Sequence, residues 1–443
     1  MHVTHKIHGQ GEVVGKRWNG YELEVQFENG KRLWVKSSQL VENKPAPATF
    51  VSSALLSPLN NQGITETRQV KARRIVEALR LGIASEDDIE RLTFGRSDEI
   101  NRISTWLNEP KIDKQPIFLI EGDYGVGKSH LLAYMRLQAL KLNYAVASVQ
   151  VDGTETPFHM PKRVYAALAK SFAYPKADGS TGDFRGFIIK YQNLIPTRSP
   201  HRPYFFSSVK DNLNDDNWWE WLMGKSGDRP SSNVSRNSNS LEALRSQQNT
   251  GNVYSYMLSF LGWLASKASL RGLLLIFDEA ESFNFATQLQ IQKGLSFIRT
   301  LTMCCHNDEL MLMSPSSLGS EKLKNYGLDF GSRSGHIPPL YRDPSHLRML
   351  MAFTDLSSIR LQIPLLEDMP AQIIKPLQGQ QVAQSVDELS KIYAEAYNVE
   401  LSENDKQGLI RSLEQEKDSY NIRHYIKQCI EYMDLVRHGW PEV

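Results

Sequence analysis

Two strings in this chain have residue types and spacings that can handle a phosphoanhydride. Gly122-Asp-Tyr-Gly-Val-Gly-Lys-Ser satisfies every fixed position of the phosphate-binding loop G-x-x-x-x-G-K-[ST]. Its glycines let backbone N–H groups turn inward around phosphate oxygens, and the helix start behind them adds a favourable dipole. Gly122, Asp123, Tyr124, Gly125, Val126, Gly127, Lys128, Ser129 and His130 are therefore the expected cradle. Lys128 is expected to reach the β- and γ-phosphates and Ser129 to hold Mg²⁺. Far downstream, apolar Leu273-Leu-Leu-Ile-Phe ends in Asp278-Glu279, an apolar strand delivering two carboxylates at its C-terminal edge. Ligands of open α/β sheets bind outside those edges. Asp278 suits Mg²⁺ through water, and Glu279 suits the general base that orients an attacking water. ATP with Mg²⁺ is the expected cofactor pair, and hydrolysis rather than sensing the expected reaction.

Those residues need a scaffold, and the pattern around them supplies one. Ile117-Phe-Leu-Ile reads as a buried strand feeding the loop. Residues 130–142 follow as a helix with Leu131, Leu132, Met135, Ala139 and Leu142 on one stripe. Ala145-Val-Ala-Ser-Val-Gln-Val is a second strand, and Pro161 suits the first position of the next helix. Leu310-Met-Leu-Met reads as a further strand after the Asp278 one. Alternating β and α units imply a parallel sheet between helices, the α/β class. The ATPase core is expected over 67–380, with a helical lid over 381–443. A polar insertion at about 174–250 interrupts the core; its serine- and asparagine-rich tract reads as mobile, and Trp218, Trp219 and Trp221 read as packing it against the core.

Ahead of the core, residues 1–42 alternate as a small β unit of three or four strands with Asn29-Gly30 as a hairpin turn. Residues 43–66 are rich in Pro, Ser and Asn and read as a linker. Net charge is +1 with 23% charged and 41% hydrophobic residues. That is an ordinary globular composition without the global basic field that drives wholesale nucleic-acid binding. No apolar run reaches the ~18 residues of a membrane span, and no leader precedes the β unit, so a cytoplasmic protein with no membrane contact is expected. Cys304, Cys305 and Cys429 cannot form a disulfide framework and read as buried small residues.

In order and type these residues resemble AAA+ ATPases. Phe94-Gly-Arg-Ser-Asp-Glu-Ile resembles the family's adenine-side segment. The resemblance implies three further roles: Ser314 as a sensor-1 polar residue, Arg423 in Asn421-Ile-Arg-His as sensor 2, and Arg360 as the trans-acting arginine finger. Arg333, Arg342 and Arg348 compete for that last role, and Ser316 and Ser317 flank Ser314. Such arginines would stabilise charge on the transferring phosphoryl group. More narrowly, Glu121-Gly-Asp-Tyr-Gly-Val-Gly-Lys-Ser-His-Leu-Leu with Glu155-Thr-Pro-Phe-His-Met-Pro-Lys-Arg-Val-Tyr resembles the ATP-binding protein of bacteriophage-exclusion (BREX) phage-defence islands. That likeness implies a bacterial or archaeal defence ATPase acting on DNA beside a helicase, and a finger serving a neighbour's site implies a homo-oligomer. Residues 1–42 resemble small Tudor-like or SH3-like barrels; their balanced charges favour a protein partner over nucleic acid. Two other readings share the core. One is a replication-initiator or helicase-loader relative, although the chain after Arg423 is too short for the winged-helix reader of initiators. The other is a nucleotide-gated scaffold with slow turnover.

Overall fold

A computed structural model describes every residue except 1, 6–8, 18–21, 28–29, 37–39, 43–66, 84–87, 110–114, 199–201, 226–250, 282–285, 331–334, 416–420 and 440–443. The linker and the tract beginning at Ser231 lie outside the described residues. The chain divides into two compact units, Met1–Thr65 and Glu66–Val443.

In the first unit, five strands rather than three or four are described: β1 His2–His5, β2 Gly9–Arg17, β3 Glu22–Phe27, β4 Arg32–Lys36 and β5 Leu40–Glu42. They form one antiparallel sheet in the order β4-β3-β2-β1-β5. The period-2 pattern of β3 works as the alternation predicts: Leu23, Val25 and Phe27 are buried with Val35 of β4. Gly30, at φ +81°, turns the hairpin, and Phe27 N–H donates to the Lys31 carbonyl at 2.8 Å. No ladder joins the outer strands β4 and β5 among the described residues.

The second unit opens with α1 Arg68–Arg80, capped by the Thr67 hydroxyl, and α2 Ser97–Asn108. Strand β6 Ile117–Glu121 leads through the glycine loop into α3 Lys128–Lys141; β7 Ala145–Gln150 leads to α4 Pro161–Ser171, which has Pro161 in its first turn. A short ribbon of β8 Tyr174–Pro175 and β9 Thr181–Gly182 follows, then α5 Phe184–Tyr191, α6 Asp216–Leu222 and α7 Gly251–Lys267. After β10 Leu273–Asp278 come α8 Gln288–Cys305 and the short α9 Pro315–Leu318 and α10 Ser320–Asn325. Strand β11 Leu347–Phe353, α11 Leu356–Gln362 and β12 Ala371–Ile373 complete the core, and α12 Gln380–Tyr397, α13 Glu403–Gln415 and α14 Ile422–His438 end the unit.

The sheet is wholly parallel, in the order β12-β6-β11-β10-β7. Its side chains split between two cores. Leu119, Ala147, Leu275, Phe277 and Met351 face one way, while Phe118, Ile120, Val146, Ile276 and Leu350 face the other. Burial of each such aliphatic side chain contributes about 1.5–3 kcal/mol, so strand register is strongly fixed. This is an α/β fold, a parallel sheet between helices with a helical lid in which α1 packs on α12 and α14. Among the described residues no helix is long and apolar enough to cross a membrane.

Three expectations change. Leu310-Met-Leu-Met is not a strand: Glu309–Leu312 is a 3₁₀ turn capped by the Asp308 carboxylate. The strand next to β10 is instead β11, which the sequence reading passed over because Arg348 interrupts it. Arg348 is buried nonetheless, since its guanidinium donates to the Trp106 and Glu109 carbonyls and lies over the Trp106 and Tyr144 rings. Helix α1, read as the start of the core, belongs to the lid: Ala72, Ile75, Val76 and Leu79 share a cluster with Val382, Leu389, Tyr393, Ile430 and Met433. The tryptophans of α6 do pack inward; Trp218, Trp219 and Trp221 are all buried in the core beneath the sheet.

Candidate nucleotide site

The carboxyl ends of β6, β11 and β10 and the start of α3 meet the lid around a cavity of about 570 Å³, within the usual range for small-molecule sites of roughly 300–1,000 Å³. Its two ends differ in chemistry.

At one end lie Gly127, Lys128, Ser129, Gln150, Asp278, Glu279, Glu281 and Thr354. The loop needs its glycines for geometry: Gly125 and Gly127 sit at φ +84° and +100°, and a Cβ on Gly122 would lie 2.8 Å from the Ile374 carbonyl oxygen. Lys128 is buried, with Nζ donating to the carbonyls of Gly122 at 2.6 Å and Asp123 at 3.1 Å. Asp278 accepts hydrogen bonds from the Ser129 side chain and, at 3.0 Å, from the Glu279 N–H. Burial raises the Asp278 carboxyl above its ordinary value; the Glu279 carboxylate adds to the rise, while the two hydrogen bonds and Lys128 oppose it. A half-buried carboxylate beside a hydroxyl is a hard-oxygen pair that suits Mg²⁺, with phosphate oxygens and waters filling the remaining positions. No group of three or more His, Cys, Asp or Glu among the described residues could hold a metal without such help. Glu279 takes φ +52°, an unusual conformation for a residue with a Cβ, and Ala280 N–H ties the turn to the Ala352 carbonyl at 3.0 Å.

The other end is apolar and comes from segments far apart in the chain: Leu79 of α1, Ile89, Leu92 and Phe94 of the following turn, Leu377, and Ile422 and Ile426 of α14. Such a half suits a nucleobase. Two polar groups stand within it. His130 Nε2 lies 2.9 Å from the Thr93 hydroxyl, and burial, helped by the nearby Arg96 charge, pushes the imidazole pKa down to about 4, so it is neutral. Arg96 is buried and donates to the Val126 carbonyl at 2.9 Å, the Lys375 carbonyl at 2.7 Å and Glu99 at 3.1 Å. It thereby anchors the phosphate loop to the edge of the sheet.

The lid touches the loop directly. The Asn421 side chain caps α14 by accepting from Arg423 N–H at 2.9 Å, and the Ile422 N–H donates to the Gly125 carbonyl at 2.8 Å. A Cβ on Gly125 would lie 3.0 Å from Asn421. Arg423 lines the cavity, its stem packed along Gly82.

The structure therefore brings Tyr124 to His130, Asp278, Glu279 and Arg423 to one cavity, and leaves Gly122, Asp123, Ser314 and Arg360 out of its lining. Ser314 is not at a strand tip. Its hydroxyl accepts from Ser317 N–H at 3.3 Å and caps α9. Thr354, which directly follows β11, occupies the place between the loop strand and the Asp278 strand. Its signal was an apolar run ending in a hydroxyl, masked by Arg348. Arg360 sits on α11 and donates to the Met369 carbonyl at 3.1 Å. Of its competitors, Arg348 is buried, Arg342 lies 5.1 Å from the centre of the Trp263 ring, and Arg333 lies outside the described residues. Sequence reasoning also missed Gln150 and Glu281.

No curated protein sequence matches the chain. Among solved structures it is similar, at 12% identity and a TM-score of 0.39, to a Walker-type ATPase of Pyrococcus abyssi, over 78% of this chain and 69% of that one. It is also similar to an AMPPCP-bound DnaA from Aquifex aeolicus (12%, TM-score 0.30, 77% of this chain and 61% of that one) and to a DNA replication initiation factor (12%, TM-score 0.33, 78% and 64%). Scores of this size add nothing about chemistry. Residues 67–190, which carry the adenine-side segment and the phosphate loop, match the family model of the BREX system ATP-binding protein BrxC/D.

Proposed function

We propose that the chain is an ATP-hydrolysing AAA+ protein of a bacterial or archaeal phage-defence system. In this reading it acts on DNA within a complex of its own copies and a partner such as a helicase. The observation that carries the ATPase part is the meeting of Lys128, Ser129, Asp278, Glu279 and Thr354 at the ends of adjacent parallel strands, in a cavity whose far end is apolar. The family match over 67–190 supports the defence setting, and the β unit of residues 1–42 is the natural candidate for partner recognition.

In this mechanism the loop amides and Lys128 hold the phosphates, and Ser129 and Asp278 would hold Mg²⁺, which supplies charge neutralisation when bound. Glu279 orients a water and receives its proton as the new P–O bond forms and ADP leaves. Arg423 neutralises charge on the phosphoryl group from the lid side.

The test is ATP hydrolysis by wild type and Glu279→Gln, with and without duplex and single-stranded DNA and the partner helicase. Turnover that DNA raises and Glu279→Gln abolishes is expected. Turnover indifferent to DNA in both settings would remove the DNA-acting part, and a monomer by light scattering with ATP at high concentration would remove self-assembly. One observation favours a second reading, a nucleotide-gated scaffold: the Ile422–Gly125 hydrogen bond couples loop to lid without chemistry. Tight ATP binding with turnover far below about 1 per second would select it.

A further inference from the structure

We propose that Glu281 is a positioning residue that sets the direction of the Thr354 hydroxyl, so that the Thr354 oxygen accepts a hydrogen bond from the attacking water while Glu279 takes the water's other proton. This rests on the hydrolytic reading above. The Thr354 hydroxyl donates to Glu281 Oε1. A threonine hydroxyl has a single proton. With that proton directed at Glu281, the oxygen offers the cavity lone pairs only.

An oxygen presented in this way repels a phosphate oxygen but receives a water proton. A water attacking phosphorus carries two protons. In the step itself its oxygen bonds to the γ-phosphorus, the bond to the bridging oxygen breaks, and one proton passes to Glu279. The other proton needs an acceptor that leaves it in place, and Thr354 oxygen is available on the neighbouring strand end. Both Glu281 and Thr354 line the cavity with Asp278, Glu279 and Lys128.

The backbone makes this pairing firm. Strands β10 and β11 run in register with Phe277 beside Met351, and the Ala280 N–H is fixed to the Ala352 carbonyl at 3.0 Å. The turn bearing Glu281 and the strand end bearing Thr354 therefore form one body. The second oxygen of Glu281 is buried and has no partner among the described residues. The carboxylate is thus held at this spot without being spent on an ion pair.

The full-length chain is assayed as Thr354→Val, Thr354→Ser, Glu281→Ala, Glu281→Gln and the double Glu281→Ala/Thr354→Val, reading kcat at saturating Mg-ATP and ATP affinity by titration. Thr354→Val and Glu281→Ala should each lower kcat by roughly 10–100-fold with affinity within about twofold, and the double variant should be no slower than either alone. Thr354→Ser and Glu281→Gln keep a hydroxyl and an acceptor oxygen, so both should retain turnover within a few-fold. Multiplying defects in the double variant, undiminished turnover in Glu281→Ala, or a loss in Glu281→Ala confined to ATP affinity would each overturn the inference while leaving hydrolysis standing. Absence of turnover in the wild-type chain would remove the hydrolytic reading, and the inference with it.

Discussion

At the phosphate end of the cavity, position is fixed by strand register. Gln150, Asp278, Thr354 and the glycine loop emerge from parallel neighbours whose side chains are buried on both faces. At the base end, position is fixed by helices meeting across long stretches of sequence. Helix α1 is fastened to α12 and α14 by its apolar stripe and by partly exposed pairs: Arg80 with Asp434 at 2.8 Å, Tyr397 with Glu77 at 2.6 Å, and Arg68 and Arg91 both with Glu395. Exposed ion pairs contribute about 0–1 kcal/mol each. The sheet end is thus held by register between strands, and the lid end by a buried helical cluster with exposed ion pairs at its margin.

The largest test of this contrast lies at the sheet end. Lys128→Ala and Glu279→Gln should lower turnover by about 10²–10⁴-fold, with Glu279→Gln still binding ATP in a titration. Next comes pH, at the junction of the two ends. His130 is neutral when folded, with a pKa of about 4 against 6.5 when free. Between those values the unfolded chain binds more protons, so the His130 contribution is complete above 6.5, declines as pH falls and is gone below 4. Denaturant titrations across that window should lose no more than the order of 3 kcal/mol, and His130→Gln should flatten the loss. Gly125→Ala comes third: a Cβ at φ +84°, 3.0 Å from Asn421, should weaken ATP binding about tenfold. Were affinity unchanged, the lid contact would not matter to binding. Arg80→Ala should cost about 1 kcal/mol of stability by denaturation, with kcat at saturating ATP little altered. Smallest of all, Ser314→Ala should leave turnover unchanged and remove only a helix cap of about 1 kcal/mol.

How far the sequence could be read follows the same division. The loop and Asp278-Glu279 were legible because each is a contiguous string whose context, strand then helix or strand then edge, is local. Gly30, Pro161 and the inward tryptophans of α6 were legible for the same reason. Thr354 was not, because the buried Arg348 breaks an apolar run that tertiary packing makes good with two carbonyls and two rings. Met311 is buried where Leu310-Met-Leu-Met gave a strand-like run, yet a 3₁₀ turn buries it equally well. Nor could any local pattern say that α1 joins helices more than 300 positions away, since its apolar stripe fits a sheet or a lid alike.

That attachment of α1 ties the start of the second unit, through the lid, to the glycine loop. Helix α1, the first of the second unit, is packed on α12 and α14 of the lid. A displacement of α1 would be passed to α14 and, by the Ile422–Gly125 bond, to the glycine loop. A change in how α1 sits on α12 and α14 would therefore reach the glycine loop along a route that bypasses the sheet.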